Sequence, residues 1–147
     1  MIRFFDSTGL VKAMVRQERG HEQAASLLGE PADGQLGFAT ARIAVLEALS
    51  KIWRITRSKV ELAKLERHFD KFSFYEVDVD YVLALELIVK MSLKGADAAI
   101  LAAAAGISRR DRLWVQFVSA DPLQLKAARR LSRHDRLRVV SLPTGLA

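Results

Sequence analysis

Short apolar runs alternate with helix-patterned segments along the chain, and this alternation limits the possible folds more than any other sequence feature. The runs are short, rich in aromatic or β-branched residues, and not cleanly alternating, as expected for strands covered on both faces. We predict strands at Ile2–Phe5, Leu36–Ala39, Phe72–Val77, Leu113–Val118 and Leu137–Leu142.

The segments between these runs carry apolar residues at helical spacing. Alternating strands and helices indicate an α/β domain with a central, mostly parallel sheet of about five strands, flanked by helices on both faces. Such sheets bind ligands outside the carboxyl ends of their strands, where the strand order reverses. The predicted helices are Thr8–Glu18, His21–Leu28, Thr40–Trp53, Ser58–Phe69, Asp78–Met91, Leu93–Ala105 and Asp121–Ser132.

Size and composition narrow the class of protein. A chain of 147 residues is expected to form one domain, spanning 1–147. Since no cysteine is present, disulfides, thiolate zinc sites and cysteine nucleophiles are excluded. The first residues do not have the pattern of a signal peptide, and the longest uncharged stretch, Ala98 to Ser108, is far shorter than the roughly 20 residues of a membrane span. We therefore expect a soluble cytoplasmic protein with no membrane association.

Positive charge is the second compositional feature. A formal net charge of +6 favours binding to polyanions, of which nucleic acid is the commonest, or to an acidic protein. Solvated helix faces would give the same pattern, so both interpretations stay open. The basic residues concentrate late in the chain, at Arg109, Arg110, Arg112, Arg129, Arg130, Arg133, Arg136 and Arg138.

Two aspartates directly follow predicted strands. Asp6 stands in "RFFDSTG" and Asp121 in "FVSADPL". Aspartate is a preferred helix N-cap, and a following proline, as at Pro122, is a common helix start, so capping alone would explain Asp121. If the two strands run parallel, both carboxylates lie at the same edge of the sheet. Asp6 would then point into a site, leaving Ser7 or Thr8 to cap the helix.

Glu47 lies on a predicted helix, on the margin of its apolar side. At 100° per residue it falls about 40° beyond Ile43, where a carboxylate can be half-buried while reaching a cavity. The alternative is an ion pair with Lys51, worth only about 0.3–0.5 kcal/mol. The apolar arc of this helix is expected to comprise Ile43, Val45, Leu46, Leu49, Ile52 and Trp53.

Asp97 is the only acid in "LKGADAAILAAAAG". A helix that is apolar nearly all round is buried nearly all round. An isolated carboxylate there costs several kcal/mol unless it is paired, protonated or bound to a metal. Lys94, three residues earlier, is the alternative partner.

Four carboxylates at one site would need a cation, because two of them a few ångströms apart repel by roughly 3 kcal/mol at an effective dielectric near 20. Carboxylate oxygens favour Mg²⁺ or Mn²⁺ over softer metals. The three histidines are scattered and polar in context, so we expect surface residues rather than ligands at His21, His68 and His134.

Four segments carry a resemblance to a known family. "RFFDSTGLVKAMV", "TARIAVLEAL", "LKGADAAILAAAA" and "FVSADPLQLKAARR" resemble, in order and spacing, the acidic motifs of PIN-domain proteins, most closely the bacterial VapC-type toxins. The resemblance covers nearly the whole chain, ending in "LRVVSLP" as the closing strand. The chain departs from the pattern at Ile100, where the family often has histidine, and at Ser119, where threonine is common.

The resemblance implies a PIN-like, Rossmann-like sandwich and a Mg²⁺- or Mn²⁺-dependent ribonuclease that cleaves RNA phosphodiester bonds. It further implies a cognate antitoxin as partner and assembly into a homodimer or larger oligomer. Glu47 could orient a water, accept its proton or complete a second metal site. Position by position, the catalytic acids fall on Asp6, Glu47, Asp97 and Asp121, the metal ligands on Asp6, Asp97 and Asp121, and the supporting hydroxyls on Ser7 and Ser119.

Other functions remain compatible with the sequence. A non-catalytic RNA- or protein-binding module would use the basic surface, and an RNA-processing nuclease would work without an antitoxin. A haloacid-dehalogenase-type phosphatase needs a second acid where Thr8 stands, and response-regulator receivers need paired acids that are missing here. Apolar residues of the first helix could form a partner surface, although we expect core at Val11, Met14 and Val15.

Overall fold

The computed structural model describes residues 1–29, 37–75 and 81–145. Its sheet has all neighbouring strands parallel, in the order β3-β2-β1-β4-β5. This confirms the predicted α/β class with a parallel sheet flanked by helices. The strands are β1 (Ile2–Phe5), β2 (Gly37–Ala41), β3 (Phe72–Tyr75), β4 (Val115–Ser119) and β5 (Leu137–Ser141).

Seven helices are described, and each has a counterpart in the sequence prediction. The predicted positions Leu36 and 76–80 lie outside the described residues. A 3₁₀ turn at Phe69–Lys71 replaces the end of the fourth predicted helix. The helices are α1 (Ser7–Met14), α2 (His21–Gly29), α3 (Arg42–Thr56), α4 (Lys59–Glu66), α5 (Tyr81–Met91), α6 (Gly95–Asp111) and α7 (Pro122–Leu131).

Helix α1 is shorter than predicted and helix α6 is longer. Val15 has an extended backbone, with φ −99° and ψ 112°, so α1 ends before the predicted Glu18. Helix α6 continues past Ala105 until Arg112 adopts a left-handed conformation with φ 54°. A residue in that conformation is a common helix terminator.

Each face of the sheet has its own aromatic core. Phe4 and Phe117 stack on one face, with ring centroids 6.1 Å apart, beside α5, α6 and α7. Successive side chains of a strand point to opposite faces, so Phe5 meets Phe38 and Phe72 on the other face, beside α1 to α4. Both faces of the central strands are therefore buried, as expected for apolar runs that do not alternate cleanly.

Helix α6 is buried along most of its length, as predicted. Every residue from Ala98 to Ser108 is buried, and small side chains fill most of these positions. Alanine allows a helix backbone to approach its neighbours closely, so α6 lies deep against the sheet with its acidic first turn at one end.

The prediction for the apolar arc of α3 is partly wrong. Leu46 is 64% exposed, because alanines take the most buried positions of this helix: Ala44, Val45, Ala48 and Ile52 form its buried side.

No described helix is long and apolar enough to cross a membrane. Val11 and Met14 of α1, and Val15 directly after it, are all buried, which confirms their assignment to the core.

The strand order defines where a ligand site is expected. From β1 the chain proceeds to β2 and β3 on one side, then crosses to β4 and β5 on the other. The reversal lies between β1 and β4, whose residues Phe5 and Val118 are paired. Asp6 follows directly, and its backbone N–H donates to Val118 O at 3.1 Å.

Candidate active site

Asp6 is buried at the carboxyl end of β1, with 1% of its surface exposed. Its Oδ1 accepts hydrogen bonds from Gly9 N at 2.9 Å and from Thr8 Oγ1 at 2.7 Å. Its Oδ2 accepts from the Ser119 hydroxyl. The expectation that Ser7 or Thr8 would cap α1 is wrong, because Asp6 itself is the N-cap. A carboxylate at this position satisfies orphan N–H groups and favours the helix dipole.

Two hydroxyls link the ends of β1 and β4. Ala120 N donates to Thr8 Oγ1 at 2.8 Å, and Asp121 N donates to Ser119 Oγ at 3.0 Å. Ser119 therefore lies against Asp6, as a supporting hydroxyl should. Ser7 lines the pocket described below, but the second hydroxyl in contact with Asp6 belongs to Thr8.

Asp121 combines both roles that its sequence allowed. It is the N-cap of α7, with Oδ1 accepting from Leu123 N at 2.9 Å and Gln124 N at 3.2 Å, and Pro122 is the first helical residue. It also lines the same pocket as the other acids, beside Asp6.

The other two acids come from helices. Asp97 is in the first turn of α6, and Gln124 Nε2 donates to its backbone oxygen at 2.9 Å, which joins α6 to α7. Glu47 is half-buried on α3, and its Oε1 is buried with no hydrogen-bond partner among the described residues. Lys51, the alternative partner considered for Glu47, does not bond to that oxygen.

The acids meet at a pocket of about 360 Å³. Glu47, Asp97 and Asp121 line it, and Asp6, which does not line it, accepts a hydrogen bond from the lining residue Thr8. The structure thus brings all four predicted acids together. We call this the acidic pocket; its remaining lining residues are Ser7, Val11, Lys51, Arg54, Lys94 and Ala96.

The basic residues that line the acidic pocket do not belong to the arginine-rich C-terminal part of the chain, where the sequence concentrates its positive charge. Lys51 and Arg54 lie four and seven residues after Glu47 on α3, a spacing that places all three on one helix face. That spacing was the available signal for Arg54, which the sequence analysis missed. None of the eight late arginines lines the pocket; Arg109, for example, pairs with Asp135 at 2.9 Å.

The histidines also lie away from the acidic pocket. The expectation of surface positions holds for His134, which is exposed, but not for His21 and His68, which are half-buried. His21 Nδ1 is 2.7 Å from the backbone oxygen of Lys12, at the start of α2.

Burial and mutual repulsion raise the pKa of three of the acids. Burial raises the pKa of Asp6 to about 6, against the opposing effect of its hydrogen bonds. Burial, then the charge of Asp97, raises the pKa of Glu47; burial, then the charge of Asp121, raises that of Asp97. Lys94 lowers both of the last two. Each of these three acids therefore has its pKa raised in part by the negative charge of another acid at the site.

The carboxylate oxygens of the four acids are suitable ligands for a hard divalent cation, but the side chains are not arranged around a common metal position. Among the described residues, no three acidic or histidine side chains are arranged to hold a metal ion. Both Asp6 oxygens accept hydrogen bonds from the protein. The unsatisfied Glu47 oxygen and the coupled carboxylates are oxygen ligands of the type that Mg²⁺ and Mn²⁺ prefer.

Several solved structures have a fold similar to this chain, whereas no protein-family model and no curated protein sequence matches it. VapBC2 from Rickettsia felis, bound to a DNA fragment from its promoter, gives a TM-score of 0.64 at 13% identity, covering 97% of this chain and 99% of the other. VapBC-1 from nontypeable Haemophilus influenzae gives 0.59 at 12% identity, covering 96% and 98%. A toxin–antitoxin complex from Klebsiella pneumoniae gives 0.52 at 18% identity, covering 81% and 86%. The predicted PIN-like fold is thereby confirmed.

Proposed function

We propose that this chain is a metal-dependent ribonuclease and the toxin of a toxin–antitoxin pair. The observation that carries the proposal is the convergence of Asp6, Glu47, Asp97 and Asp121 at the switch point of the sheet. These acids come from four separate segments of the chain and are coupled through their charges. A fold has little structural reason to gather carboxylates where a neighbouring negative charge raises the pKa of Asp6, Glu47 and Asp97.

The proposed metal ligands are Asp6, Asp97 and Asp121. Bound Mg²⁺ or Mn²⁺ would stabilise charge on the scissile phosphate and lower the pKa of a bound water. Ser119 and Thr8 hold Asp6 in place by hydrogen bonds. Asp121 keeps its position because the first turn of α7 donates to it.

Glu47 is the proposed proton acceptor for the attacking water. Its pKa is raised by burial and by Asp97, which moves a carboxylate toward the range useful for general-base catalysis near neutral pH. Lys51, Arg54 and Lys94 line the same pocket and would bind the RNA phosphates that the acids repel. The net charge of +6 acts in the same direction.

The proposed partners follow from the structural neighbours. Two of these are VapBC structures and the third is a toxin–antitoxin complex. We therefore propose that a cognate antitoxin binds this chain in the cytoplasm, and that the chain assembles into a homodimer or larger oligomer. Growth arrest on expression, relieved by the product of an adjacent small reading frame, would distinguish a toxin from an RNA-processing nuclease.

The first test is cleavage of a labelled structured RNA with Mg²⁺, Mn²⁺ or EDTA. We expect metal-dependent cleavage that falls by at least about 100-fold in Asp97→Asn. Asp111→Asn is the matched control, because Asp111 is exposed at the other end of the same helix. Both variants are checked for folding by thermal unfolding.

Two outcomes would contradict the proposal. Equal cleavage by the wild type and Asp97→Asn would place the activity in a contaminant or at another site. Absence of cleavage with any metal, combined with salt-sensitive RNA binding in EDTA, would identify a non-catalytic module.

A further inference from the structure

A second, larger cleft adjoins the acidic pocket. Its volume is about 590 Å³, within the range of small-molecule sites. The two share Thr8, Val11, Lys51 and Asp121, so a polymer crossing one reaches the other. We call it the apolar cleft, because its walls include Val11, Ile55, Pro122 and Leu123.

Two buried charges also line the apolar cleft. Lys12 is 4% exposed, and its Nζ donates to Arg19 O at 2.9 Å and to Gly145 O at 3.1 Å. An ammonium has three N–H donors, so one remains beyond these two bonds. Glu18 is 7% exposed, and among the described residues no hydrogen bond reaches its carboxylate. Its oxygens are not among the buried unpartnered atoms of the described residues, so the carboxylate is open to the cleft that it lines. Burial lowers the pKa of the neighbouring Lys12, and the charge of Glu18 raises it in opposition. A ligand that donates N–H groups would supply the hydrogen bonds that the carboxylate does not receive from the protein.

We propose that the apolar cleft binds a guanine base of RNA, adjacent to the phosphodiester bond that is cleaved. This inference rests on the proposed ribonuclease function. Guanine is the only RNA base with two adjacent N–H donors, N1–H and the N2 amino group, beside a carbonyl oxygen. Glu18 accepts from both donors, in the paired geometry that carboxylates favour. Lys12 donates its remaining N–H to the guanine O6.

The other bases satisfy this pair less well. Adenine and cytosine each offer one amino group to a carboxylate, and uracil offers one imide N–H. The apolar walls contact the ring faces of any base, which favours binding without choosing a sequence. The choice of guanine therefore depends on Glu18, while Ile55 and Leu123 contribute to all bases.

The first experiment is cleavage of an RNA pool with randomised sequence, followed by sequencing of the products. We expect the wild type to favour guanine at one position beside the cut, by about tenfold or more. Glu18→Gln should remove most of that preference, because it slows cleavage beside guanine more than cleavage beside the other bases. Glu66→Gln is the control, because Glu66 is exposed on α4 and lines neither pocket. Cleavage without a guanine preference, or a preference that survives Glu18→Gln, would overturn the proposal.

The second experiment does not depend on cleavage. Calorimetry in EDTA compares guanosine and adenosine monophosphate as probes. We expect tighter binding of guanosine monophosphate, about tenfold weaker in Glu18→Gln. Ile55→Ala, at a residue already 38% exposed, should weaken both nucleotides and gives a second variant if Glu18→Gln does not fold.

The two experiments separate failure of this inference from failure of the proposed function. If guanosine monophosphate binds in a way that depends on Glu18 but no RNA is cleaved with any metal, the base site is supported and the ribonuclease function is contradicted. Equal binding of the two nucleotides would reject the base site. Tighter binding of N-acetyl-arginine amide than of guanosine monophosphate would also reject it, and would identify a protein-docking site.

Discussion

The strand-end aspartates and the helix-borne acids of the acidic pocket are held in different ways. Asp6 and Asp121 each cap a helix and accept hydrogen bonds from backbone or hydroxyl donors. Among the described residues, no hydrogen bond reaches the carboxylates of Glu47 and Asp97, which are half-buried. Hydrogen bonds therefore fix the carboxylates of the strand-end acids, whereas the carboxylates of the helix-borne acids receive none from the described residues.

This difference separates positioning from ligand binding. Asp6 is a buried carboxylate whose three hydrogen bonds partly offset its desolvation. Glu47 has a buried oxygen that nothing described satisfies. A metal ion or a water held by substrate would provide the missing partner for the helix-borne acids, at a location set by the strand-end acids.

The largest effect should come from Asp6→Asn. At pH 8 in EDTA this variant should be more stable than the wild type by up to about 3 kcal/mol, because raising a pKa from 3.8 to about 6 costs that much when the carboxylate is ionised. Asparagine keeps a capping oxygen. RNA cleavage should nevertheless fall by at least about 100-fold, since a proposed metal ligand is lost.

The pH dependence of the increase in unfolding free energy in Asp6→Asn tests whether burial of the Asp6 charge causes that increase. The wild-type penalty is fully present above pH 6, decreases as the folded carboxyl group becomes protonated between pH 6 and the unfolded value of 3.8, and is nearly absent below that value. The gain of Asp6→Asn should therefore vanish near pH 3.5, measured by denaturant unfolding across pH. A gain that does not change with pH would show that burial of the charge is not its origin.

Ser119→Ala should have the next largest effect. It leaves Asp6 Oδ2 without a donor and Asp121 N without an acceptor, so the free energy of unfolding should fall by about 1–3 kcal/mol. The pKa of Asp6 should rise further, because the Ser119 hydrogen bond lowers it.

Ser141→Ala is the matched control for that change. Ser141 is paired with Ser119 across the β4–β5 ladder but is exposed. We expect little change in its unfolding curve. Equal losses in the two alanine variants would mean that general sheet stability, and not support of Asp6, explains the effect.

Added Mg²⁺ should raise the free energy of unfolding by about 1 kcal/mol at several times its Kd. The gain requires the helix-borne half of the site, so it should be lost in Asp97→Asn and retained in Asp111→Asn. Differential scanning calorimetry with Mg²⁺ and with EDTA gives the measurement. Stabilisation of Asp97→Asn equal to that of the wild type would place the ion elsewhere.

Glu47→Gln should have the smallest effect on stability. Removing a half-buried, partly screened charge should raise the free energy of unfolding in EDTA by roughly 0.5 kcal/mol. Cleavage should still fall, because the proposed proton acceptor is gone. A variant with wild-type cleavage would remove Glu47 from the mechanism.

The position of the site could be predicted from sequence, because it depends on which residues directly follow the strands and on the parallel direction of those strands. Apolar runs marked the strands, and Asp6 and Asp121 directly followed two of them. Parallel strand direction then placed both acids at one edge. The alanine-rich segment after Asp97 likewise predicted burial from composition alone, and α6 is buried as expected.

The parts that sequence did not predict depend on tertiary neighbours. Asp6 caps its own helix through the nearby Gly9, but its other oxygen accepts from Ser119 of β4, a contact between residues far apart in sequence. Leu46 is exposed because alanines, which carry a weak hydrophobic signal, occupy the close contacts of α3. Lys12 and Glu18 drew no attention because a charge on a helix or loop is usually solvated.

The buried run of small residues in α6 affects how a genetic screen should be interpreted. A larger side chain anywhere from Ala98 to Ala105 has no space and would shift the helix that carries Asp97. A screen for lost activity would therefore recover many substitutions along α6 that contact no reacting group. Measuring the yield of folded protein for each inactive variant would separate these misfolded α6 variants from the few substitutions, such as those at Asp97, that leave the protein well folded but inactive.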